Sequence, residues 1–257
     1  MYSPSDTALS IVIPAYNEAA RIGPSLERVV AFARARAEPC EIIVVDDGSR
    51  DDTRAIVGAI AEEHACLRLL ALPQNRGKGA AVRAGVLASR GRHVLFTDAD
   101  LSTPIDELAR LESALADGAD IAIGSRAVPG DVERRQPMLR RLQGRGFHLA
   151  VRALGFRAVA EIRDTQCGFK LFKGAVARAV FRELTLTGFA FDVELLELAR
   201  ARFRVAEVAV AWTHVDGSKV RPGIDAARML RDLVRIRWSW LRRGRPQLAL
   251  SSGEQGQ

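Results

Sequence analysis

Cysteine is scarce in this chain of 257 residues, where Cys40, Cys66 and Cys167 stand far apart. Their odd number and wide spacing exclude a disulfide framework and a cysteine-ligated metal site, so a reducing compartment is expected. Long apolar runs are missing too. No window reaches the roughly 18 uninterrupted apolar residues of a membrane span. The opening residues, MYSPSDTALS, lack the basic-then-apolar pattern of a secretory leader. The expectation is a chain that is soluble or lies on a membrane without crossing it. Aromatic residues are only 6%, yet hydrophobic residues reach 48% against 27% charged, which excludes global disorder. One domain is expected over residues 1–243, with a disordered tail at 244–257.

Acids are in the minority, and the net charge is +7. The excess is local. Residues 134–157 hold seven arginines and no acid, and residues 221–245 hold eight arginines against Asp225 and Asp232. The rest of the chain is therefore net acidic. Two basic surfaces suit nucleic acid, anionic lipid or a phosphorylated substrate.

The stretch around which the chain is organised is HVLFTDADLSTP, residues 93–104. Val94, Leu95 and Phe96 read as a buried strand of a parallel sheet. Asp98 and Asp100 follow it two positions apart, so in an extended chain both face one side. Two like charges this close call for a cation between them. Magnesium typically takes one or two protein carboxylates and completes its shell with phosphate oxygens and water. A bare Asp-x-Asp is more often a solvated turn before a capped helix, here with Ser102 or Thr103 ahead of Pro104.

The surrounding pattern changes that balance. Strands are predicted over 9–13, 41–45, 67–72, 94–96 and 121–124, alternating with helices over 27–36, 53–63, 80–89 and 105–115. This alternation implies an α/β fold with a mostly parallel sheet. Polar residues recur just after the strands. Asn17, Glu18, Asp46, Asp47, Lys78, Asp98, Asp100 and Arg126 thereby gather on one sheet edge, where open α/β sheets bind ligands. Gly77 and Gly79 flank Lys78 in a loop that suits phosphate but matches neither a Walker A motif nor a dinucleotide fingerprint. Beyond Arg126 the alternation stops. Residues 138–154 and 224–241 each place arginines beside apolar side chains. Segments 137–156 and 222–243 are thus candidate membrane-interface helices, the second carrying Trp238 and Trp240. An ordinary surface helix is the competing reading of the first.

The motifs IVIPAYNEAARI, IIVVDDGSRDDT, NRGKGAAVRAG, FTDADLSTP, IGSR, RDTQCGFKLF, GFAFDVELL and WTHVDGSKV resemble, in that order, the inverting family-2 glycosyltransferases. The likeness runs from about Leu9 to Arg237 and is strongest to the dolichyl-phosphate glucosyltransferase group. The first three motifs are shared across the family; DADLSTP, DTQCGFKLF and GSKV are more specific to the polyprenyl-phosphate branch. The resemblance implies a GT-A type nucleotide-sugar fold and transfer of a hexose from a UDP-sugar to dolichyl or polyprenyl phosphate. It implies that Pro14, Ala15, Tyr16, Glu18, Asp46, Asp47, Lys78, Asp98 and Ala99 hold the donor nucleotide. Asp98 and Asp100 would hold Mg²⁺ or Mn²⁺, with Arg126 completing the catalytic set. Arg126, Arg140 and Arg141 would bind the acceptor phosphate. Ser102 stands where mannosyl-transferring relatives commonly carry Gln, which favours glucose and leaves a third metal ligand unassigned. Gly144 stands where many relatives carry Ser. The implied location is the cytoplasmic face of an anionic membrane, with no nucleic acid as partner.

Other readings are a mannosyl transferase, a family-2 enzyme with a hydroxyl acceptor, and a basic nucleic-acid- or membrane-binding protein without catalysis. A hydroxyl acceptor needs a general base, for which Asp192 is the candidate; its plain alternative is a helix N-terminal acid. Acidic strand ends argue against nucleic acid, since they repel phosphodiesters unless a metal intervenes.

Overall fold

The structure is a computed structural model, and it describes residues 7–128, 134–135, 146, 149–156, 159–213, 215, 222–246 and 248. Four strand–helix repeats and a fifth strand build its first half. They are β1 (Leu9–Ala15), α1 (Ile22–Ala35), β2 (Cys40–Asp46), α2 (Thr53–Glu63), β3 (Leu67–Ala71), α3 (Lys78–Ala88), β4 (His93–Thr97), a 3₁₀ turn (Ile105–Glu107) with α4 (Leu108–Ala116), and β5 (Ile121–Ser125). The later elements are β6 (Arg134–Arg135), β7 (Phe169–Lys173), α5 (Gly174–Glu183), α6 (Phe191–Ala199), β8 (Val205–Ala209), β9 (Trp212–Thr213) and α7 (Pro222–Arg243).

The main sheet has seven strands in the order β3-β2-β1-β4-β7-β5-β8, with a separate β6–β9 pair. All its pairings are parallel except those of β7, which runs antiparallel between β4 and β5. The mostly parallel α/β sheet expected from the sequence is therefore present. Strand β7 was not expected. Its run FKLFK breaks apolar alternation at Lys170, which is nonetheless fully buried.

Strand periodicity sorts the core into two layers. Val12, Ile43, Val45, Val94 and Phe96 face α3, α5, α6 and the inner side of α7. Ile11, Ile13, Ile42, Val44 and Leu95 face α1, α2 and α4. Buried on both faces, these strands read as continuous apolar runs. Register then aligns the strand ends: Ala15 pairs with Asp46, and Val12 with Phe96. The loops after β1, β2 and β4 consequently open on one edge.

Two of the expected boundaries carry information. The stretch 224–241 is helical within the longer α7. Within the stretch expected to be a free tail, Leu248 is buried, its carbonyl accepts from Arg202, and Arg245 pairs with the buried Glu197. Most of residues 137–156 lies outside the described residues.

Helix α3 sits so close to the sheet that a Cβ on Gly85 would lie 2.4 Å from Val12 Cγ1 and 2.9 Å from Val45 Cγ2. Gly85→Ala should therefore destabilise the fold by about 1–3 kcal/mol through overpacking, outweighing alanine's better helix propensity. Urea denaturation midpoints of the two proteins would measure it; an equal or higher midpoint would show that α3 can step back.

Candidate active site

Three loops make the floor and near wall of a cleft at the sheet edge. The loop after β1 is pinned to the loop after β2. Asn17 N–H donates to Ser49 Oγ at 2.9 Å, Glu18 N–H to Thr53 Oγ1 at 2.8 Å, and Arg50 N–H to Asn17 Oδ1 at 2.8 Å. Asn17 takes φ +53°, a left-handed conformation that Asn tolerates better than most residues. Asp47 fixes the third loop. Its two carboxylate oxygens accept from the N–H groups of Arg76 and Gly77, both at 2.8 Å. Burial pushes the Asp47 carboxyl above the ordinary range despite these two bonds. Gly77 has φ +100°, and a Cβ there would come within 2.5 Å of the Thr187 carbonyl oxygen. Only glycine suits that turn.

The Asp98–Asp100 pair forms the centre. Asp98 N–H donates to the Gly168 carbonyl at 3.1 Å, and a Cβ on Gly168 would lie 2.0 Å from Asp98 Oδ2. The missing side chain of Gly168 is thus what leaves room for the Asp98 carboxylate. Lys78 Nζ lies 2.6 Å from Asp98 Oδ1. Beneath it, Lys170 Nζ lies 2.6 Å from Asp192 Oδ1 and 2.6 Å from the Cys167 carbonyl. Both ammonium groups lie near the Phe96 ring, Lys78 at 5.2 Å and Lys170 at 5.7 Å from its centre. Burial raises the Asp192 carboxyl, against the pull of Lys170 and Lys78. For Lys78, burial is the largest influence and favours the neutral amine, but the charges of Asp98, Asp192 and Asp100 and the hydrogen bond to Asp98 together outweigh it and raise the ammonium above its ordinary value.

The cleft holds about 430 Å³. Pro14, Ala15, Tyr16, Glu18, Asp47, Lys78, Asp98, Ala99 and Asp100, all expected from the sequence, line it. Asp46 does not. Its fully buried carboxylate accepts from Ser49 N–H at 3.1 Å and Arg54 Nε–H at 3.2 Å, holding the β2–α2 turn from behind. Arg126 is also absent from the lining. Its guanidinium grips Asp164 in a fork, Nε to Oδ2 at 2.7 Å and Nη2 to Oδ1 at 2.8 Å, with Trp212 5.6 Å away. Arg140 and Arg141 lie outside the described residues. The cleft adds Arg21, Asn75, Phe189, Asp225 and Arg228, which sequence reasoning did not place there. Of these, Arg21 had a local signal: it stands three residues after Glu18, the spacing of a helical ion pair, and the two do pair. Phe189, Asp225 and Arg228 arrive from far along the chain.

The donor set fits a hard divalent cation. Two carboxylates two residues apart line one cleft, and the described residues contain no cluster of three or more His, Cys, Asp or Glu able to hold a metal unaided. An ion here would take its remaining oxygens from phosphate and water, as magnesium and manganese do.

The sequence pattern described as Glycosyl transferase family 2 matches residues 10–181. The chain is 40% identical over 247 residues to dolichyl-phosphate beta-glucosyltransferase of Dictyostelium discoideum, an alignment covering 91% of this chain and 75% of that protein. It is 42% identical over 249 residues to the Drosophila melanogaster protein of the same name, covering 91% and 74%. Among solved structures it is similar to glucosyl-3-phosphoglycerate synthase from Mycobacterium tuberculosis in complex with Mn²⁺ and UDP-glucose. The TM-score is 0.65 at 23% identity, over 94% of this chain and 80% of that one. At that identity the likeness is one of fold, the GT-A type.

The Arg126–Asp164 pair has a measurable pH signature. Burial alone would raise the Asp164 carboxyl, but the Arg126 charge and hydrogen bonds outweigh it and hold it below the ordinary carboxylate range. A depressed folded-state pKa contributes stability that is present above the unfolded value of about 3.9 and lost as pH falls further. Asp164→Asn should cost about 3 kcal/mol at pH 7, because it leaves a mostly buried guanidinium short of its partner. The gap to the parent should narrow below about pH 4. Urea midpoints across pH 3–7 would test both, and a gap independent of pH would exclude an ionic contribution.

Proposed function

The chain belongs to Glycosyl transferase family 2, and on that premise we propose that it transfers glucose from UDP-glucose to dolichyl or another polyprenyl phosphate, with inversion at the anomeric carbon. The observation that carries the chemistry is the Asp98–Asp100 pair in a cleft shared with the strand-end loops. The relatives' names supply the acceptor and the sugar, and a fold neighbour's complex with Mn²⁺ and UDP-glucose supports the donor and a divalent ion.

Tyr16 and Asp47 are the donor's base-side contacts in this reading, and Lys78 and the Asp98–Asp100 pair face the diphosphate. Either Mg²⁺ or Mn²⁺ would neutralise phosphate charge and ease departure of UDP. The acceptor phosphate is already anionic near neutral pH. One of its oxygens forms the new bond to the anomeric carbon while the bond to the UDP oxygen breaks from the opposite face, and UDP leaves with the electron pair. No proton needs to be removed. The burial of Asp192 supports this choice over a hydroxyl acceptor. Its carboxylate is fully enclosed and bound to Lys170, so it is not placed to act as a general base. Arg126, Arg140 and Arg141 are the proposed cations for the acceptor phosphate. Supporting Arg126 are its position at the end of β5, on the same sheet edge, and its electrostatic reach to Asp98.

A polyprenyl acceptor stays in a bilayer, and no described helix is long and apolar enough to cross one. Helix α7 offers a surface instead. Its inner face buries Leu233, Ile236 and Trp240, while Leu230, Val234, Trp238 and Leu241 form an exposed stripe, up to 68% accessible at Leu241. Arg231, Arg235, Arg242 and Arg243 flank the stripe, and the Arg242 guanidinium lies 3.8 Å from the Trp238 ring centre. Apolar side chains beside arginines suit the head-group plane of an anionic membrane. The reading places this surface on the cytoplasmic face, where the nucleotide sugar is found.

Two tests follow directly. Asp98→Asn and Asp100→Asn should each reduce glucose transfer from UDP-glucose to a short polyprenyl phosphate at least a hundredfold with the fold retained, and EDTA should do the same; full activity under any of these conditions would remove the metal role. In flotation assays the protein should bind anionic vesicles at low salt and release as salt rises, each basic residue contributing up to about 1 kcal/mol. Trp238→Ser with Leu241→Ser should weaken that binding. Retention by DNA but not by vesicles would instead favour a nucleic-acid role for the arginines.

A further inference from the structure

The far wall of the cleft comes from α7. We propose that Arg228, anchored by Asp225, is a diphosphate-contacting cation of the donor site, so that α7 is part of the active site as well as a surface helix. The inference rests on the reading of the cleft as a nucleotide-sugar site.

Among the described residues three ion pairs line the cleft, and they differ in the contacts that hold them. Arg21 makes two contacts with Glu18, and Lys78 meets Asp98 at 2.6 Å. Arg228 Nη1 reaches Asp225 Oδ1 at 3.3 Å, through one nitrogen, with its side chain 61% exposed. Asp225 is the opposite, only 10% exposed. The arrangement is a buried carboxylate that steers a solvent-facing guanidinium into the cleft. A single exposed contact of this length contributes little, so it can be exchanged for a better partner. A guanidinium matches phosphate oxygens through paired N–H groups.

Charge supplies the reason for a loosely held cation. Among the described lining residues each pair joins one acid to one cation, and Asp47 and Asp100 are the other acids. A donor diphosphate brings about two negative charges, offset by its divalent ion. Transfer adds one more as the bond to the anomeric carbon breaks and UDP leaves. A cation that can move toward the leaving diphosphate meets that added charge where it develops. Arg228 sits in the second turn of α7, and both it and Asp225 line the cleft. The neighbouring wall is continuous with it: Phe189 lines the cleft, and a Cβ on Gly188 would lie 3.6 Å from Asp232 Oδ2 of α7.

The test is calorimetric binding of UDP and of uridine to the full chain with Mn²⁺ and without lipid. Arg228→Ala should weaken UDP about tenfold and leave uridine unchanged, while Arg228→Lys should recover part of the loss. Arg110→Ala, which removes an exposed cation from α4, should bind UDP as the parent does. Equal weakening of UDP and uridine would mean a general distortion and overturn the proposal, as would unchanged UDP binding by Arg228→Ala. If the parent chain itself binds no UDP, the nucleotide-sugar reading fails first and this inference with it.

Discussion

Everything at the sheet edge depends on holding carboxylates close together inside a folded domain. Asp98 is tolerable there because Lys78 touches it, and Lys78 is tolerable because Asp98 and the Phe96 ring surround it. The layer below repeats the arrangement with Lys170 and Asp192, fully enclosed and linked to the first layer by the same ring. Either charge left alone in that interior would cost several kcal/mol. The alternation of acid and ammonium therefore constrains four elements at once: α3 for Lys78, β4 for Asp98, β7 for Lys170 and α6 for Asp192.

Such a stack also sets what chemistry is open to the cleft. Asp192 is the acid that a hydroxyl acceptor would call upon, and it is committed to Lys170. Asp47 is committed to the amides of the 76–77 turn. Asp100 is left facing the cleft beside the Lys78–Asp98 pair, and together with Asp98 it makes a donor pair suited to a divalent ion. A site with few free bases but several cations suits an acceptor that arrives already ionised. The Arg126–Asp164 fork fits the same logic, since a guanidinium oriented by a buried carboxylate presents its remaining donors in a fixed direction.

Helix α7 joins the two halves of the functional problem. Its buried face belongs to the core through Leu233, Ile236 and Trp240, its outer face is an arginine-flanked apolar stripe, and its first turns reach the cleft. Because these three surfaces lie on one rigid rod, the distance between the exposed stripe and the cleft is set by helix geometry, at about 1.5 Å per residue, rather than by a flexible linker.

Much of this was legible in the chain itself. Apolar runs such as EIIVV and HVLF mark strands buried on both faces, and the placing of acids immediately after them is enough to gather Glu18, Asp47, Asp98 and Asp100 on one edge, because parallel strands share their direction. What only the tertiary structure decided are contacts between residues far apart in sequence. Asp46 and Asp47 are neighbours of identical type, yet strand alternation turns one into the turn behind the cleft and the other into its wall. Lys170 disguised β7 because a lone charge in a strand reads as exposed until its partner, 22 residues later, is known. Arg228 looked like one more surface arginine, since nothing in a helical repeat tells which turn will meet a cleft built by strands more than a hundred residues earlier. Local pattern reports the periodicity and polarity of a segment; which charges meet is fixed only when the segments pack.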